Sequence, residues 1–242
     1  MRIKGALLCV LDEAKGKNGH LFLEKKEQLK AALYLLNEKI LIPSQRIREQ
    51  QVLDMQQELI LSGTVVSMKD CIYKPDIFEM EDETARQIAQ RLLDKTPCPN
   101  INSLLEQVKS RFGLSLSAMQ SKGVQQACIY NLSIITGPPG SGKTSAIKAI
   151  IEVFRILCPK GIIMLMAPTG RASRRMVEST GFEEASTLHS GLSVISEEDE
   201  SCRKREPGLL DADLIIVDEV SLVDMWLMSQ FFKRLKRNTK IV

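Results

Sequence analysis

Eight consecutive residues, Gly137-Pro138-Pro139-Gly140-Ser141-Gly142-Lys143-Thr144, match the spacing GxxxxGK[ST] at every fixed position. The chemistry explains the spacing. Glycines let the backbone fold into a nest whose N–H groups face an anion. An apolar segment, Leu132 to Thr136, reads as a strand before the loop, and Thr144 to Leu157 reads as a helix after it. That helix would aim its positive end at the same anion. Lys143 supplies a point charge for the β- and γ-phosphates of ATP, Thr144 a hydroxyl for Mg²⁺, and Ser145 continues the cradle into the first helical turn. A chance glycine-rich turn would lack the flanking strand and helix.

Downstream, Leu214-Ile215-Ile216-Val217 is apolar enough for a buried strand, and Asp218-Glu219 follows it directly. In open α/β sheets ligands bind at such strand ends. Asp218 is the candidate partner of Thr144 in holding Mg²⁺, and Glu219 the candidate to orient and deprotonate a water. Acid pairs often end strands without function. Here the pair follows a complete phosphate loop, so Lys143, Asp218 and Glu219 form the candidate catalytic set. The adjacent acids favour water activation over transfer to a small molecule.

These residues need a sheet to hold them. From Leu114 onward helices alternate with short apolar strands: Gly161 to Ala167, a helix over Arg171 to Ser179, Leu214 to Val217, and the beginning of a strand at Lys240-Ile241-Val242. Continuous apolar strands between helices predict an α/β fold with a parallel sheet covered on both faces, here truncated. Residues 1–76 read differently. A helix over Glu24 to Leu36 places Leu29, Ala32, Leu33 and Leu36 on one face. A second helix is expected from Pro43 to Ser62, stopped by Gly63. Thr64 to Met68 and Cys71 to Lys74 flank Lys69-Asp70 as a two-stranded hairpin, which makes a small winged-helix-like domain. Residues 77–113 are expected to be a helical linker, with helices over Glu79 to Lys95 and Ser103 to Phe112. Residues 114–242 form the expected ATPase lobe. Ser196 to Gly208, four acids followed by Arg203-Lys204-Arg205, reads as a solvated loop.

Composition constrains less. The formal net charge of +3 permits a nucleic-acid partner without demanding one. Six scattered cysteines with no CxxC pair, and two histidines, give no zinc spacing. Isolated thiols, no signal-like core and no long apolar run lead us to expect a cytoplasmic protein with no membrane span.

Three further segments narrow the reading: Ala167-Pro168-Thr169-Gly170-Arg171-Ala172, Thr187-Leu188-His189, and Asp218-Glu219-Val220-Ser221. With the phosphate loop they resemble motifs Ia, Ib, II and I of superfamily 1 helicases, in the RecD-like branch. Asp211-Ala212-Asp213 and Ile72-Tyr73-Lys74-Pro75 also fit that pattern, and the resemblance reaches from about residue 5 to 242. It implies a RecA-like P-loop NTPase domain moving 5′ to 3′ on single-stranded DNA at the expense of ATP. It implies that Thr169, Gly170 and Arg171 contact the DNA backbone and that His189 lies on the DNA side. Thr169 equally fits a helix cap, His189 a satisfied polar group, and Ser221 either a coupling residue or a cap. Leu116-Ser117-Ala118-Met119-Gln120 resembles the segment whose glutamine reads adenine, yet Ser117 and Gln120 also spell a capping box, so two roles compete for one side chain. Gly123 departs from a good helix there.

The resemblance also implies a second RecA-like lobe after Val242, absent from this chain, carrying an arginine for the γ-phosphate. Such arginines contribute about 10³–10⁵ in rate in other P-loop enzymes. This chain alone is therefore expected to bind nucleotide, hydrolyse it slowly and not unwind DNA. The competing expectations are a non-catalytic DNA- or protein-binding module with a vestigial ATP site, and a P-loop kinase, which would leave 167–172 and 187–189 without a role.

Overall fold

A computed structural model of the chain describes residues 1–193 and 208–242. The expected solvated loop over 196–208 falls outside the described residues, Gly208 excepted. The chain divides into two compact units, Met1–Asp82 and Glu83–Val242.

The first unit opens with helix α1 (Arg2–Asn18), of which the sequence betrayed only an apolar run. Ala6, Leu7, Val10, Leu11 and Ala14 are its buried stripe, and Gly19 ends it at φ 68°. Strand β1 (Phe22–Glu24), helix α2 (Lys25–Asn37), helix α3 (Glu49–Leu61) and strands β2 (Val66–Met68) and β3 (Cys71–Tyr73) follow. The helix expected from Pro43 is instead a 3-10 turn, Pro43–Gln45, followed by a break. The reason is Asn37. Its Nδ2 donates to Ile47 O at 2.9 Å and its Oδ1 accepts from Ile47 N at 2.8 Å, which takes Ile47 out of any helical ladder. The expected hairpin forms, with Met68 opposite Cys71 and Lys69 at φ 55° in the turn. It gains a third antiparallel strand in the order β1-β3-β2. Leu7, Ala32, Val52 and Ile72 are fully buried at the centre. Two buried amides are satisfied there: Gln28 Nε2 donates to Leu7 O, and Gln56 Nε2 donates to Gln28 Oε1 and Lys25 O.

Helix α4 (Pro75–Leu93) carries the boundary between the units and starts four residues earlier than its apolar spacing indicated, with Pro75 as its first residue. The second unit continues with α5 (Ile101–Phe112), α6 (Ala118–Ile129), α7 (Lys143–Leu157), β4 (Ile163–Ala167), α8 (Gly170–Thr180), β5 (Ser186–Thr187), α9 (Leu188–Gly191), β6 (Leu214–Val217), α10 (Met225–Lys233) and β7 (Lys240–Ile241). Its four strands are parallel in the order β5-β4-β6-β7. Both faces are covered. Leu214 and Ile216 of β6 pack with Ile150, Phe154 and Leu165, while Ile215 between them packs with Leu227, Phe231 and Ile241. This is why the strand is apolar at every position. Leu105 and Val108 of α5, expected in a linker, belong to the first of these clusters.

The strand expected over Leu132 to Thr136 is reduced to one parallel bridge, Leu132 to Ile241, with Ser133 N donating to Ile241 O at 2.9 Å. β7 is only two residues long, so the backbone beyond Ser133 gains no ladder from it, and Ile134 is 80% exposed. Among the described residues no helix is long and apolar enough to cross a membrane.

Candidate functional site

The phosphate loop is shaped by two left-handed glycines, Gly140 at φ 75° and Gly142 at φ 74°. A side chain at either position would be strained. Gly137 is glycine for another reason: a Cβ there would stand 2.6 Å from Ser141 Oγ. Lys143 opens α7, and its Nζ donates back to Gly137 O at 2.7 Å and Pro138 O at 3.1 Å. An ammonium has three protons, so this grip leaves one to offer outward. Thr144 is exposed and Ser145 half-buried in the first turn of α7, whose leading N–H groups have no carbonyl four residues back in the helix.

Gln120 reaches the loop from α6. Its Nε2 donates to Ser141 O at 2.8 Å, and its Oε1 accepts from Ser117 N at 2.7 Å. Gln120 N in turn donates to Ser117 Oγ at 3.2 Å. The capping box is therefore formed, and the same carboxamide also fastens the loop. Gly142 makes room for it, since a Cβ there would lie 2.3 Å from Gln120 Nε2.

The carboxylates come from the end of β6. Asp218 N donates to Met166 O at 3.0 Å, which continues the β4–β6 ladder by one residue and sets Asp218 beside the end of β4. Lys143 and Asp218 border one cavity of about 220 Å³, otherwise lined mainly by apolar groups such as Ile147, Ile216 and Phe231. Glu219 is exposed and adopts φ 51°, ψ 38°, a left-handed conformation uncommon for a non-glycine residue. Its N–H donates to Asp218 Oδ1 at 2.9 Å, and its Oε1 lies 3.9 Å from Arg175 Nη1.

The remaining motifs gather at the neighbouring strand ends. Ala167 at the end of β4 is the register partner of Thr187 at the end of β5. Thr169 caps α8, its Oγ1 accepting from Ala172 N at 3.2 Å. Its hydroxyl proton remains available to an outside acceptor. Gly170 stands close enough to the next segment that a Cβ on it would be 4.0 Å from Thr187 Cγ2. Arg171 is exposed and His189 half-buried in the short helix α9. Ser221 is exposed in a 3-10 turn and caps nothing: the cap of α10 is Asp224, whose Oδ1 accepts from Leu227 N at 2.7 Å. The contacts between Arg175 and Glu219 and between Gln120 and Ser141 lay beyond sequence reasoning. Only the arginine run Arg171, Arg174, Arg175 hinted at the first. Asp213 also has a role the sequence did not disclose, its Oδ2 accepting from Ile162 N at 2.8 Å to fix the start of β4.

A family model described as an AAA domain matches residues 120–242, just over half the chain. The RecBCD enzyme subunit RecD of Buchnera aphidicola subsp. Schizaphis graminum is 29% identical over 97% of this chain and 43% of the relative. The ATP-dependent RecD2 DNA helicase of Deinococcus radiodurans is 27% identical over 94% of this chain and 31% of the relative. The ATP-dependent DNA helicase dda of phage T4 is 35% identical over 51% of this chain and 27% of the relative. The chain thus spans less than half the length of these curated relatives. With a phosphate loop, an acid pair after β6 and motif segments at the ends of β4 and β5, the chain belongs to the AAA domain family and to the RecD-like superfamily 1 helicases.

Proposed function

We propose that the chain is the ATP-binding lobe of an ATP-dependent DNA helicase, coupling hydrolysis to 5′-to-3′ movement on single-stranded DNA. The observation that carries this reading is the convergence of the phosphate loop, Asp218-Glu219, Thr169-Gly170-Arg171 and His189 at one end of a parallel sheet. Loop amides and Lys143 bind the triphosphate. Thr144 and Asp218 are hard oxygen donors that suit Mg²⁺, an ion that keeps waters and phosphate oxygens and needs few protein ligands. The metal would neutralise charge on the phosphates. Glu219 orients water and accepts its proton, and Gln120 stands where adenine contact and loop support meet. Thr169, the Gly170 backbone and Arg171 face DNA phosphates, with His189 beside them.

The first unit, three helices with a three-stranded antiparallel sheet, is winged-helix-like in this reading. The relative named a RecD2 DNA helicase is more than twice as long, which supports a second lobe supplying the rest of the ATP site. By itself this chain binds nucleotide, turns it over slowly and does not unwind.

Phosphate release under single-turnover conditions, with and without single-stranded DNA, tests the proposal. DNA-stimulated release abolished by Lys143→Ala is the expected outcome. Nucleotide and DNA binding without any turnover would favour a binding module with a vestigial ATP site. Turnover that survives Lys143→Ala would refute the assignment of the site.

A further inference from the structure

We infer that Arg175 is a positioning residue that restrains Glu219 until a DNA phosphate competes for it, so linking the DNA-side loop to the water-activating carboxylate. The inference rests on the roles proposed above for Glu219 and for Thr169 to Arg171.

Four observations carry it. Arg175 and Glu219 are 44 residues apart on different elements, yet Arg175 Nη1 stands 3.9 Å from Glu219 Oε1. Glu219 is one of only three non-glycine residues at positive φ among those described, a conformation that surrounding contacts must hold. Arg175 lies one helical turn from Arg171, on the helix whose N-terminus is the candidate DNA contact and whose first turn has no acid. Its neighbour Arg174 is engaged locally, Nε donating to Gly170 O at 3.2 Å, whereas Arg175 reaches across to the acid.

The two side chains are 72% and 39% exposed, so water screens the pair and an incoming anion can displace it. A guanidinium serves carboxylate and phosphate diester equally well. Without DNA, Arg175 holds one oxygen of Glu219 and turns the carboxylate toward α8. A phosphate arriving at the start of α8 draws Arg175 away and frees the carboxylate. Nothing covalent changes; one ion pair is exchanged for another. Linkage then requires the reverse effect: neutralising Glu219 must free Arg175 and tighten DNA binding.

The test is a double-mutant cycle read by fluorescence anisotropy of a labelled oligothymidylate. Glu219→Gln is expected to tighten binding about two- to fivefold, the range of an exposed pair. That gain should vanish in an Arg175→Ala background and return with Arg175→Lys. Equal tightening in both backgrounds, or none in either, would overturn the inference while leaving the DNA reading intact. A wild-type chain that binds no oligothymidylate sinks the DNA reading and the inference with it. Single-turnover hydrolysis adds a second readout. Arg175→Ala should raise the DNA-free rate by a similar factor and lower the DNA stimulation ratio accordingly. A parallel fall with and without DNA would mean that Arg175 serves only structure.

Discussion

Gln120 clasps the phosphate loop at Ser141, its Nε2 donating to the Ser141 carbonyl at 2.8 Å while its Oε1 caps α6 through Ser117 N at 2.7 Å. The two atoms of one carboxamide do different work. A glutamine that also reads adenine must release the loop or rotate, which would make loop closure and base recognition compete.

Gln120→Glu separates these functions. A carboxylate still accepts from Ser117 N at a helix N-terminus, so the cap survives. It cannot donate to Ser141 O, and it faces that carbonyl with negative charge. Thermal stability should stay near wild type while affinity for a fluorescent ATP analogue falls severalfold. Gln120→Ala should lose the clasp and the side-chain half of the capping box, the Ser117 Oγ bond to the backbone remaining, with a stability cost of about 0.5–1.5 kcal/mol. Unchanged nucleotide affinity in Gln120→Glu would disprove the clasp.

Two glycines should respond oppositely to alanine. At Gly142, φ 74° and a Cβ 2.3 Å from Gln120 Nε2 impose strain and push the clasp aside. Gly142→Ala should cost about 1–2 kcal/mol in backbone strain and weaken nucleotide binding. Gly123 lies inside α6, and nothing stands within 4 Å of where an alanine methyl would sit. Gly123→Ala should add about 0.5–1 kcal/mol of stability. Urea midpoints measure both, and a destabilised Gly123→Ala would contradict the open space beside it.

Arg91 is 4% exposed and donates to Arg237 O at 2.8 Å and Lys236 O at 3.2 Å, holding the turn between α10 and β7. Burial lowers its pKa from the ordinary value. Arg91→Met keeps bulk but removes the donors. It should cost about 1–3 kcal/mol, seen in chemical denaturation. No loss would mean that water replaces the guanidinium at these carbonyls.

Alkaline pH should unfold the chain through two buried acids. Burial pushes the Cys128 thiol from 9.0 up to about 12, and burial together with Glu81 raises Tyr73 from 10.0 to about 12. Between roughly pH 9 and 12 the unfolded chain releases these protons while the folded chain keeps them, so the unfolded state is favoured. Stability is full below pH 9 and should decline toward pH 12. Cys128→Ser and Tyr73→Phe should each flatten that decline in denaturant titrations. In the folded chain at pH 8, iodoacetamide should modify the exposed Cys9 and Cys158 and spare Cys128 until denaturant is added.

By itself the sequence determined the parts whose chemistry is local. GxxxxGK[ST], the acids after an apolar run and the threonine-led start of α8 carry their geometry in consecutive residues, because a turn, a strand end and a helix cap each span only a few positions. Tertiary structure decided what depends on partners far along the chain. β1 is three residues long, too short for its alternation to show, and exists because β3 pairs with it. Asn37 breaks a plausible helix from ten residues away. Leu132 to Thr136 has strand composition, but a strand needs a neighbour and β7 supplies only one bridge. The reach of Arg175 to Glu219 is of the same kind: spacing sets which face of α8 a side chain occupies, and only the packing of the sheet sets what stands opposite.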